Sequence, residues 1–435
     1  MNKLWLLVLA ALLQACGGGG DGGASTSTAQ SPLACSITSQ RSALLSFMQD
    51  EYYWYAQMPA PNPNAATMDA YFQSMLFKPA DRFSFTETTQ QYQQLFQEGT
   101  FTGYGYSLTV TDPANNVIRV RIVEPKGPAA AAGLRRGDTI LSIDGATPAQ
   151  IISGAAGGAV GGDGVPRTFQ VRDNAGNTKT LQMVSATFPL TPVRDVTVLD
   201  GTRGGQPVKV GYLDYTQFVT YSVPDLTAAI EGMAAQGAGE LVLDLRYNGG
   251  GDVATSRDLA SMVAGARLAG QTFAALRYNN KNQSRNQTYT FRSPAASLAS
   301  LPRVFVIVSG STASASELVI NGLKPFMNVV LVGETTYGKP YGFEPFSNCG
   351  LTYNAVNFES VNSQGVGGYT SGFAPTCPAA DDLDHQLGDS NELRLKTALG
   401  YIATGTCAQS AQGAPLAASP QRVLGEVFAP RMIVK

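Results

Sequence analysis

Histidine is nearly absent from the sequence, since His385 is the only one among 435 residues. Histidine is the usual base that activates a serine or cysteine nucleophile, so any Ser-His mechanism would have to use this one side chain. It follows the acidic run Asp381-Asp382-Leu383-Asp384, and no motif around it indicates a catalytic role. The sequence therefore disfavours a Ser-His hydrolase acting on esters, which would need His385 in its pocket.

Charge is also scarce. Charged residues make up 14% of the chain and the formal net charge is −2, which gives no basic face of the kind that binds nucleic acid. The hydrophobic fraction of 44% is typical of a folded protein and not of a disordered one. A chain of this length is expected to form about two to three domains.

The five cysteines include no pair at Cys-x-x-Cys spacing. A redox dithiol is disfavoured for that reason, zinc ligation is only the alternative, and no metal or cofactor is implied. Cys16 belongs to the predicted export signal described below, so four cysteines remain. In an exported chain an even number of cysteines predicts disulfides, here two bonds with three possible pairings. Cys35 and Cys407 flank the folded region, and Cys349 and Cys377 share one segment, so these are the two pairs that we favour.

The first residues predict export. A basic start, Met1-Asn2-Lys3, precedes an apolar run over residues 4–13 that is too short to span a membrane and is typical of a signal peptide. The following Leu13-Gln14-Ala15-Cys16 resembles a bacterial lipobox, which would make Cys16 the lipidated first residue of the mature chain. An ordinary secretory signal is the alternative. Residues 17–33, rich in Gly, Ser and Thr, predict a flexible tether. Because Gly17 is not aspartate, the resemblance implies anchoring to the outer membrane on its periplasmic side.

Two regions precede the chemistry. Residues 34–98 predict a helical region, because apolar side chains recur there every three or four residues. Residues 99–190 predict a mostly β domain, and its Gly-Leu-Arg-Arg-Gly-Asp block at 133–138 closely resembles a PDZ domain. The residues that match the carboxylate-binding loop of that fold are Tyr104, Gly105 and Tyr106. In such a loop, backbone N–H groups converge on the terminal carboxylate of a peptide, which adds as a strand to the sheet edge. For the glycines alone, a simple hairpin loop is the alternative.

The most informative stretch is 303–339. Residues 303–308 and 329–333 are apolar and rich in β-branched side chains, so each predicts a buried strand. Between them Ser314 stands at a strand-to-helix turn, a position that exposes a hydroxyl near the positive end of a helix. The same Ser-Ala-Ser-Glu letters also fit a helix-capping box closed by Glu317. A serine nucleophile needs a base, and Lys339 could serve if burial lowers its pKa. A solvated loop lysine is the alternative.

Ser-Ala-Ser-Glu, followed by Val-Gly-Glu-Thr-Thr-Tyr-Gly-Lys, resembles the carboxyl-terminal processing (tail-specific) serine proteases. In that family the first serine is the nucleophile and the lysine, which follows at the same spacing here, is the general base. The resemblance therefore implies catalytic roles for Ser314 and Lys339, with Glu317 as the third member of the site. One position departs from the family, because Phe343 stands where a glutamine often holds the lysine. Glu344 is a weaker candidate for the third polar group.

Residues 240–246 predict a buried strand that ends in an Asn-Gly-Gly-Gly run. Acyl transfer places negative charge on the carbonyl oxygen, and preorganised N–H donors there lower the barrier by roughly 3 kcal/mol. The resemblance implies that Gly249 or Gly250 supplies one donor and the Ala315 N–H the other. The family's proline before two glycines is Gly249 here, which leaves the assignment open by one residue. No Gly-Lys-Ser/Thr follows, so a phosphate-binding loop is excluded.

Residues 191–407 therefore predict an α/β protease domain, followed by a tail over 408–435. The resemblance implies the crotonase-like (ClpP-like) fold for this domain. It also implies a serine endopeptidase that cleaves exported proteins, recognises their free C-termini through the PDZ domain and is held to the membrane by a lipid anchor. The competing hypothesis is a catalytically inactive PDZ-containing lipoprotein that binds peptides.

Overall fold

The computed structural model describes residues 35–155, 162–298, 301–407, 423–425 and 431–434. The predicted signal peptide, Cys16 and the tether lie outside the described residues, as does most of the predicted tail. Among the helices in these described ranges, none is both long and apolar enough to cross a membrane.

The first described region is helical and contains one short strand. Ser36 caps the first helix, because its hydroxyl accepts a hydrogen bond from the Ser39 N–H at 3.2 Å. Leu44 and Met48, one helical turn apart, are fully buried and pack in a cluster with Phe72. The elements are α1 (Ile37–Glu51), α2 (Met68–Ser74), β1 (Phe85–Thr88) and α3 (Thr89–Gln93).

The next region is a mostly β domain, as expected for residues 99–190. Ile118 and Val120 are fully buried two residues apart, which is the alternation that one face of a half-buried strand requires. Five strands form an antiparallel sheet in the order β3-β4-β5-β6-β7, and β2 pairs with β8. The elements are β2 (Thr100–Gly103), β3 (Tyr106–Asp112), β4 (Val117–Val123), α4 (Pro128–Ala131), β5 (Thr139–Ile143), α5 (Pro148–Ser153), β6 (Pro166–Arg172), β7 (Thr178–Val184) and β8 (Ala186–Pro189).

An α/β domain follows, as the alternation of strands and helices predicts. Its first half contains β9 (Val193–Arg203), β10 (Gln206–Tyr215), α6 (Val223–Ala235), β11 (Ala238–Asp244), β12 (Gly250–Asp252), α7 (Val253–Ala264), β13 (Thr272–Tyr278) and β14 (Gln287–Thr290). Its second half contains β15 (Arg303–Val308), α8 (Ala315–Leu323), β16 (Asn328–Gly333), β17 (Tyr341–Gly342), β18 (Phe346–Asn348), β19 (Leu351–Asn354), β20 (Phe358–Val361), β21 (Cys377–Pro378) and α9 (Leu393–Thr404).

The main sheet of this domain has the order β21-β16-β15-β11-β10-β9. Every neighbouring pair is parallel except β9 and β10. The central strand β15 is buried on both faces, which explains its continuous apolar run. A second sheet, β14-β13-β20-β17, lies beside it, and β18 and β19 join β1 of the helical region. The carboxyl end of β15 leads into α8, so Ser314 stands at the carboxyl edge of the parallel strands, which is the edge where open α/β sheets bind ligands.

Two short strands near the end of the chain add to these sheets. β22 (Val423–Gly425) pairs antiparallel with β3 of the β domain. β23 (Arg431–Ile433) pairs parallel with β12 of the α/β domain. Neither strand was expected from the sequence, which indicated only a tail after residue 407.

The two disulfides are present, but the pairing that we favoured is wrong. Cys35 bonds Cys349, with Cα atoms 5.6 Å apart, and Cys377 bonds Cys407, with Cα atoms 5.5 Å apart. The reason is topological. Helix α1 packs in one cluster with Tyr353 of β19, and its Phe47 stacks on Phe346 of β18, which brings the start of the helical region to the β18–β19 hairpin, where Cys349 lies. Cys377 lies in β21, the edge strand of the main sheet against which α9 packs, and Cys407 follows that helix.

Candidate active site

Ser314 occupies a strained turn. It immediately precedes α8, and its backbone has φ +64° and ψ −115°, a region that a residue with a side chain seldom adopts. Such a conformation costs roughly 1–3 kcal/mol and is concentrated at functional sites. The side chain is fully buried, and among the described residues its Oγ has no hydrogen-bond partner. The strained turn thus holds a buried hydroxyl whose hydrogen-bonding capacity is unused.

Glu317 connects this turn to the lysine loop. Its Oε2 accepts hydrogen bonds from the backbone N–H groups of Ser314 (2.9 Å) and Lys339 (2.8 Å). Its Oε1 accepts from the Gly338 N–H (2.7 Å) and from Thr336 Oγ1 (2.6 Å). Burial raises the pKa of the Glu317 carboxyl, and the four donated hydrogen bonds oppose that shift only in part. The glutamate half of the predicted capping box is therefore formed.

Lys339 is fully buried, as the dyad hypothesis requires. Its Nζ lies 3.8 Å from the centroid of the Phe343 ring, so the aromatic side chain that replaces the family's glutamine contacts the ammonium group by its face. The hydrogen bond from Ser314 Oγ to Lys339 Nζ that the resemblance implies is not formed in this conformation. Both side chains are thus sequestered from solvent, and the lysine Nζ lies against an aromatic ring.

The glycine-rich loop after β11 is tied to the serine turn through Asn248. The Asn248 carbonyl accepts from the Ala313 N–H (3.1 Å) and from Ser316 Oγ (3.0 Å). The Asn248 side chain accepts from the Gly250 N–H (2.8 Å) through its Oδ1. The Gly250 N–H is therefore already engaged within the loop. Ala315, the first residue of α8, and Gly249 are the remaining predicted oxyanion donors, and they belong to two segments that these bonds hold together.

Sequence reasoning missed several residues that build this site. Asn248 and Thr336 lay within the quoted motifs, but nothing in their letters indicated that they join the loops. Arg82 was also missed, and it clamps the lysine loop by donating from Nη2 to the carbonyl oxygens of Tyr337 (2.9 Å) and Gly338 (3.2 Å). Only a three-dimensional contact between the helical region and this loop could have identified it.

His385 and Glu344, the weaker candidates for a base and for the third polar group, have partners outside the candidate site. His385 Nδ1 lies 2.8 Å from Asp382 Oδ2, its side chain is 41% exposed, and that carboxylate raises the pKa of the imidazole. Glu344 pairs with Arg285 and accepts from the Tyr278 hydroxyl. Within the described ranges, no group of three His, Cys, Asp or Glu side chains is placed to hold a metal ion.

The predicted carboxylate-binding loop lies between β2 and β3. Gly105 has φ +80°, and an added Cβ would lie 2.9 Å from the Phe188 ring, so the loop requires glycine there. The side chains of Tyr104 and Tyr106 are buried in the core of the β domain. Any peptide recognition by these three residues must therefore use the backbone of the loop, as the resemblance implies.

Comparison with known protein families gives three matches in chain order. Residues 39–85 match the family model described as the peptidase S41 N-terminal domain. Residues 119–154 match a PDZ domain model, and residues 209–348 match peptidase family S41. One match lies in each of the helical region, the β domain and the α/β domain.

Individual proteins agree with these matches. A carboxyl-terminal-processing protease from a Picosynechococcus species is 32% identical over 289 residues, covering 64% of this chain and 66% of the relative. One from a Synechocystis species is 29% identical over 276 residues, covering 61% and 60%. The chain thus spans about three fifths to two thirds of the length of these curated relatives. A crystal structure from Bacteroides fragilis, described as an S41 protease, is 28% identical, covers 83% of this chain and 96% of its own, and superposes with a TM-score of 0.67.

Proposed function

On the premise that the chain belongs to peptidase family S41, we propose that it is a serine endopeptidase with a Ser314–Lys339 dyad. The chain has the α/β fold, the PDZ domain and the helical N-terminal region expected for this family. The observation that carries the proposal is the Glu317 carboxylate, which accepts hydrogen bonds from the backbones of both residues. A single buried group thereby fixes the nucleophile turn relative to the loop of the base. A structural helix cap alone would not require the bond to Lys339.

The proposed chemistry follows from these positions. Ser314 Oγ attacks the carbonyl carbon of a peptide bond, and Lys339 Nζ takes the serine proton and gives it to the leaving amine. Two N–H donors, from Ala315 and from Gly249 or Gly250, stabilise the oxyanion. Gly249 is the better choice, because the Gly250 N–H already donates to Asn248. Water then hydrolyses the acyl-enzyme with Lys339 again as the base. Before this sequence can start, Lys339 must leave the Phe343 ring and release its ammonium proton to solvent, because only the neutral amine can accept the serine proton.

The substrates that we propose are exported proteins with free C-termini. The PDZ match supports recognition of a peptide strand at the sheet edge, with the terminal carboxylate held by the backbone of residues 104–106. The two disulfides support an oxidising compartment. Anchoring through a lipid on Cys16, on the periplasmic side of the outer membrane, remains part of the proposal and is tested by labelling with a radioactive fatty acid, which a Cys16→Ala variant should not incorporate.

The deciding experiment is proteolysis of an unfolded test protein by the mature chain. Ser314→Ala and Lys339→Ala should each lower the rate by at least about a thousandfold, since members of such a unit fail together. His385→Ala, a change on a partly exposed loop, should leave the rate unchanged. If the wild-type chain is inert while peptides still bind the PDZ domain, the inactive peptide-binding alternative replaces this proposal. Loss of activity in His385→Ala would contradict the dyad.

A further inference from the structure

The two strands near the end of the chain occupy edges where a peptide substrate would bind. β22 covers β3, with Val423 opposite Thr109 and Gly425 opposite Ser107. β23 covers β12, with Arg431 opposite Gly250 and Ile433 opposite Asp252. We refer to residues 423–425 and 431–434 together as the tail strands.

On the β domain, β22 lies as a PDZ ligand would. The edge strand β3 begins at Tyr106, the last residue of the proposed carboxylate-binding loop. Rising numbers in β22 pair with falling numbers in β3, so β22 runs toward that loop. Leu424 packs against the core cluster of the domain. A strand that adds antiparallel to the edge and places one side chain against the domain is the β-augmentation mode of peptide recognition.

On the α/β domain, β23 lies between the glycine loop and the lysine segment. Its pairing with β12 includes Gly250, one residue from the proposed oxyanion donor. On its other side the Val434 N–H donates to the Phe343 carbonyl at 3.1 Å. Ile433 is fully buried in the apolar cluster that contains Phe343, Val219 and Val356. Backbone contacts on both sides and one buried aliphatic side chain are what an extended substrate would also make.

The state of the catalytic groups agrees with an occupied cleft. Ser314 and Lys339 are fully buried, although a nucleophile must be reached by its substrate. The residue that contacts the Lys339 ammonium by its ring, Phe343, is the same residue that the Val434 N–H contacts by its carbonyl. Phe343 therefore contacts both β23 and the Lys339 side chain in its observed position.

We propose that the tail strands are an intramolecular ligand for both peptide-binding surfaces, and that substrate must displace them before the dyad can form. The inference rests on the proposed function for the meaning of the site, but the occupancy itself is a binding property. It also assigns a substrate class, namely an extended peptide whose side chain at the position of Ile433 is aliphatic. A tethered competitor at an effective concentration on the order of millimolar weakens the apparent affinity of any peptide added from outside.

The test measures binding and so does not depend on catalysis. A fluorescent peptide with the sequence of residues 421–434 is titrated into the full chain carrying Ser314→Ala, with and without Leu424→Asp and Ile433→Asp. We expect the doubly substituted tail to allow binding about tenfold tighter or more, because the internal competitor is removed. Val184→Asp, an exposed apolar-to-acid change on β7, is the matched control and should bind like the parent. A scrambled peptide should bind neither chain.

Equal affinity for the parent and the tail variant would overturn the proposal, and so would equal binding of the scrambled peptide. If burying aspartate at 433 destabilises the domain, seen as a lowered melting temperature, Val434→Pro replaces it, because it removes the N–H that contacts Phe343 without placing a charge in the core. With Ser314 intact, the tail variants should also raise kcat/KM about tenfold through a lower KM. Tighter peptide binding without any proteolysis would support the occupied tail while refuting the endopeptidase.

Discussion

Two fully buried charges of the α/β domain, Glu317 and Arg246, are stabilised in different ways. Glu317 receives four hydrogen bonds, all from neutral donors. Arg246 faces carboxylates, with Nη1 and Nη2 each bonded to Glu392 (2.7 and 2.9 Å) and Nη2 2.8 Å from Asp244. The first arrangement fixes the backbones of the Ser314 turn and the Lys339 loop without adding a countercharge. The second is an ion network that holds elements together.

The ion network extends to the PDZ domain. Asp381 lies 3.4 Å from Arg246 and 2.7 Å from Arg136, which belongs to the Gly-Leu-Arg-Arg-Gly-Asp block. Arg136 also donates to the Arg121 carbonyl (2.6 Å) and to the Tyr247 hydroxyl (2.5 Å). Tyr247 directly precedes the loop of the proposed oxyanion donors. The two arrangements therefore have different functions. The neutral donors around Glu317 fix the loops of the candidate site, and the ion network of Arg246 and Asp381 joins the α/β domain to the PDZ domain.

The carboxyl groups of Glu317 and Asp381 have pKa values shifted in opposite directions, because one faces neutral donors and the other faces arginines. Burial raises the pKa of Glu317, and only neutral donors oppose it. Burial also acts to raise the pKa of Asp381, but Arg136, Arg394 and Arg246 outweigh it, so the net pKa lies far below the ordinary range. On acidification, Glu317 is thus protonated well before Asp381.

The largest expected effect on stability comes from removing the cation of the Arg246 ion network. Arg246→Met leaves Asp244 and Glu392 buried without their cation, so the free energy of unfolding should fall by about 3–5 kcal/mol. Urea unfolding followed by circular dichroism measures it. Arg203→Met is the matched control, because Arg203 is 50% exposed beside Glu240 and should contribute about 1 kcal/mol or less. Similar losses in the two variants would contradict the special status of Arg246.

Asp381→Asn sharpens the comparison through pH. The folded-state pKa of Asp381 is depressed, so its stabilisation is present above the unfolded pKa of about 3.9 and is lost as the pH falls below that value. We expect the variant to lose roughly 2–3 kcal/mol at neutral pH and to show a smaller further loss on acidification than the parent. The exposed Asp384, paired with Arg119, gives the control Asp384→Asn, whose pH profile should match that of the parent. Parallel profiles for Asp381→Asn and the parent would refute this reading.

Glu317→Gln tests the four hydrogen bonds that Glu317 accepts from neutral donors. The amide nitrogen of glutamine cannot accept, so two of the four donors lose their acceptor, and the free energy of unfolding should fall by about 2 kcal/mol. Misplacement of the serine turn and the lysine loop should lower kcat by about 10- to 100-fold with little change in KM. Glu344→Gln makes the same change outside the site and should leave kcat unaffected. A kcat loss in Glu344→Gln alone would reverse the assignment of the third group.

The smallest effect should follow from Phe343→Leu. Removing the ring removes a cation–π contact of about 1 kcal/mol that holds Lys339 in its resting position, so kcat should rise by about fivefold. Phe343→Tyr keeps the ring face and should behave like the parent. Initial rates on a short peptide at saturating concentration measure both. A fall in kcat for the leucine variant would mean that the ring supports the active position instead.

The main strands and the serine turn were predictable because local sequence determines them. The run at β15 is apolar throughout, since both faces of the strand are buried, and its predicted bounds match the structure. The turn at Ser314 and the helix after it follow from the small polar residues between two such runs. The fold class followed only through the resemblance, because periodicity does not specify the topology of the sheets.

The rest depended on contacts between distant segments. Three of the four hydrogen-bond donors to Glu317 lie about 20 residues further along the chain, and no local pattern encodes that contact. The disulfide partners were misassigned because sequence position says nothing about which strands lie side by side. β22 and β23 are three residues each, too short for a period to be read, and their pairing is created by the edges that they cover.

The bond between Cys35 and Cys349 closes a covalent ring with a sequence separation of 314 residues. The PDZ domain, the glycine loop, Ser314 and Lys339 all lie inside that ring. A single cut of the backbone anywhere within it would leave the two pieces joined as one particle of unchanged mass apart from one added water. Self-cleavage in this part of the chain would therefore leave a single covalent species on a gel run without reductant and would show as two fragments only after the disulfide is reduced.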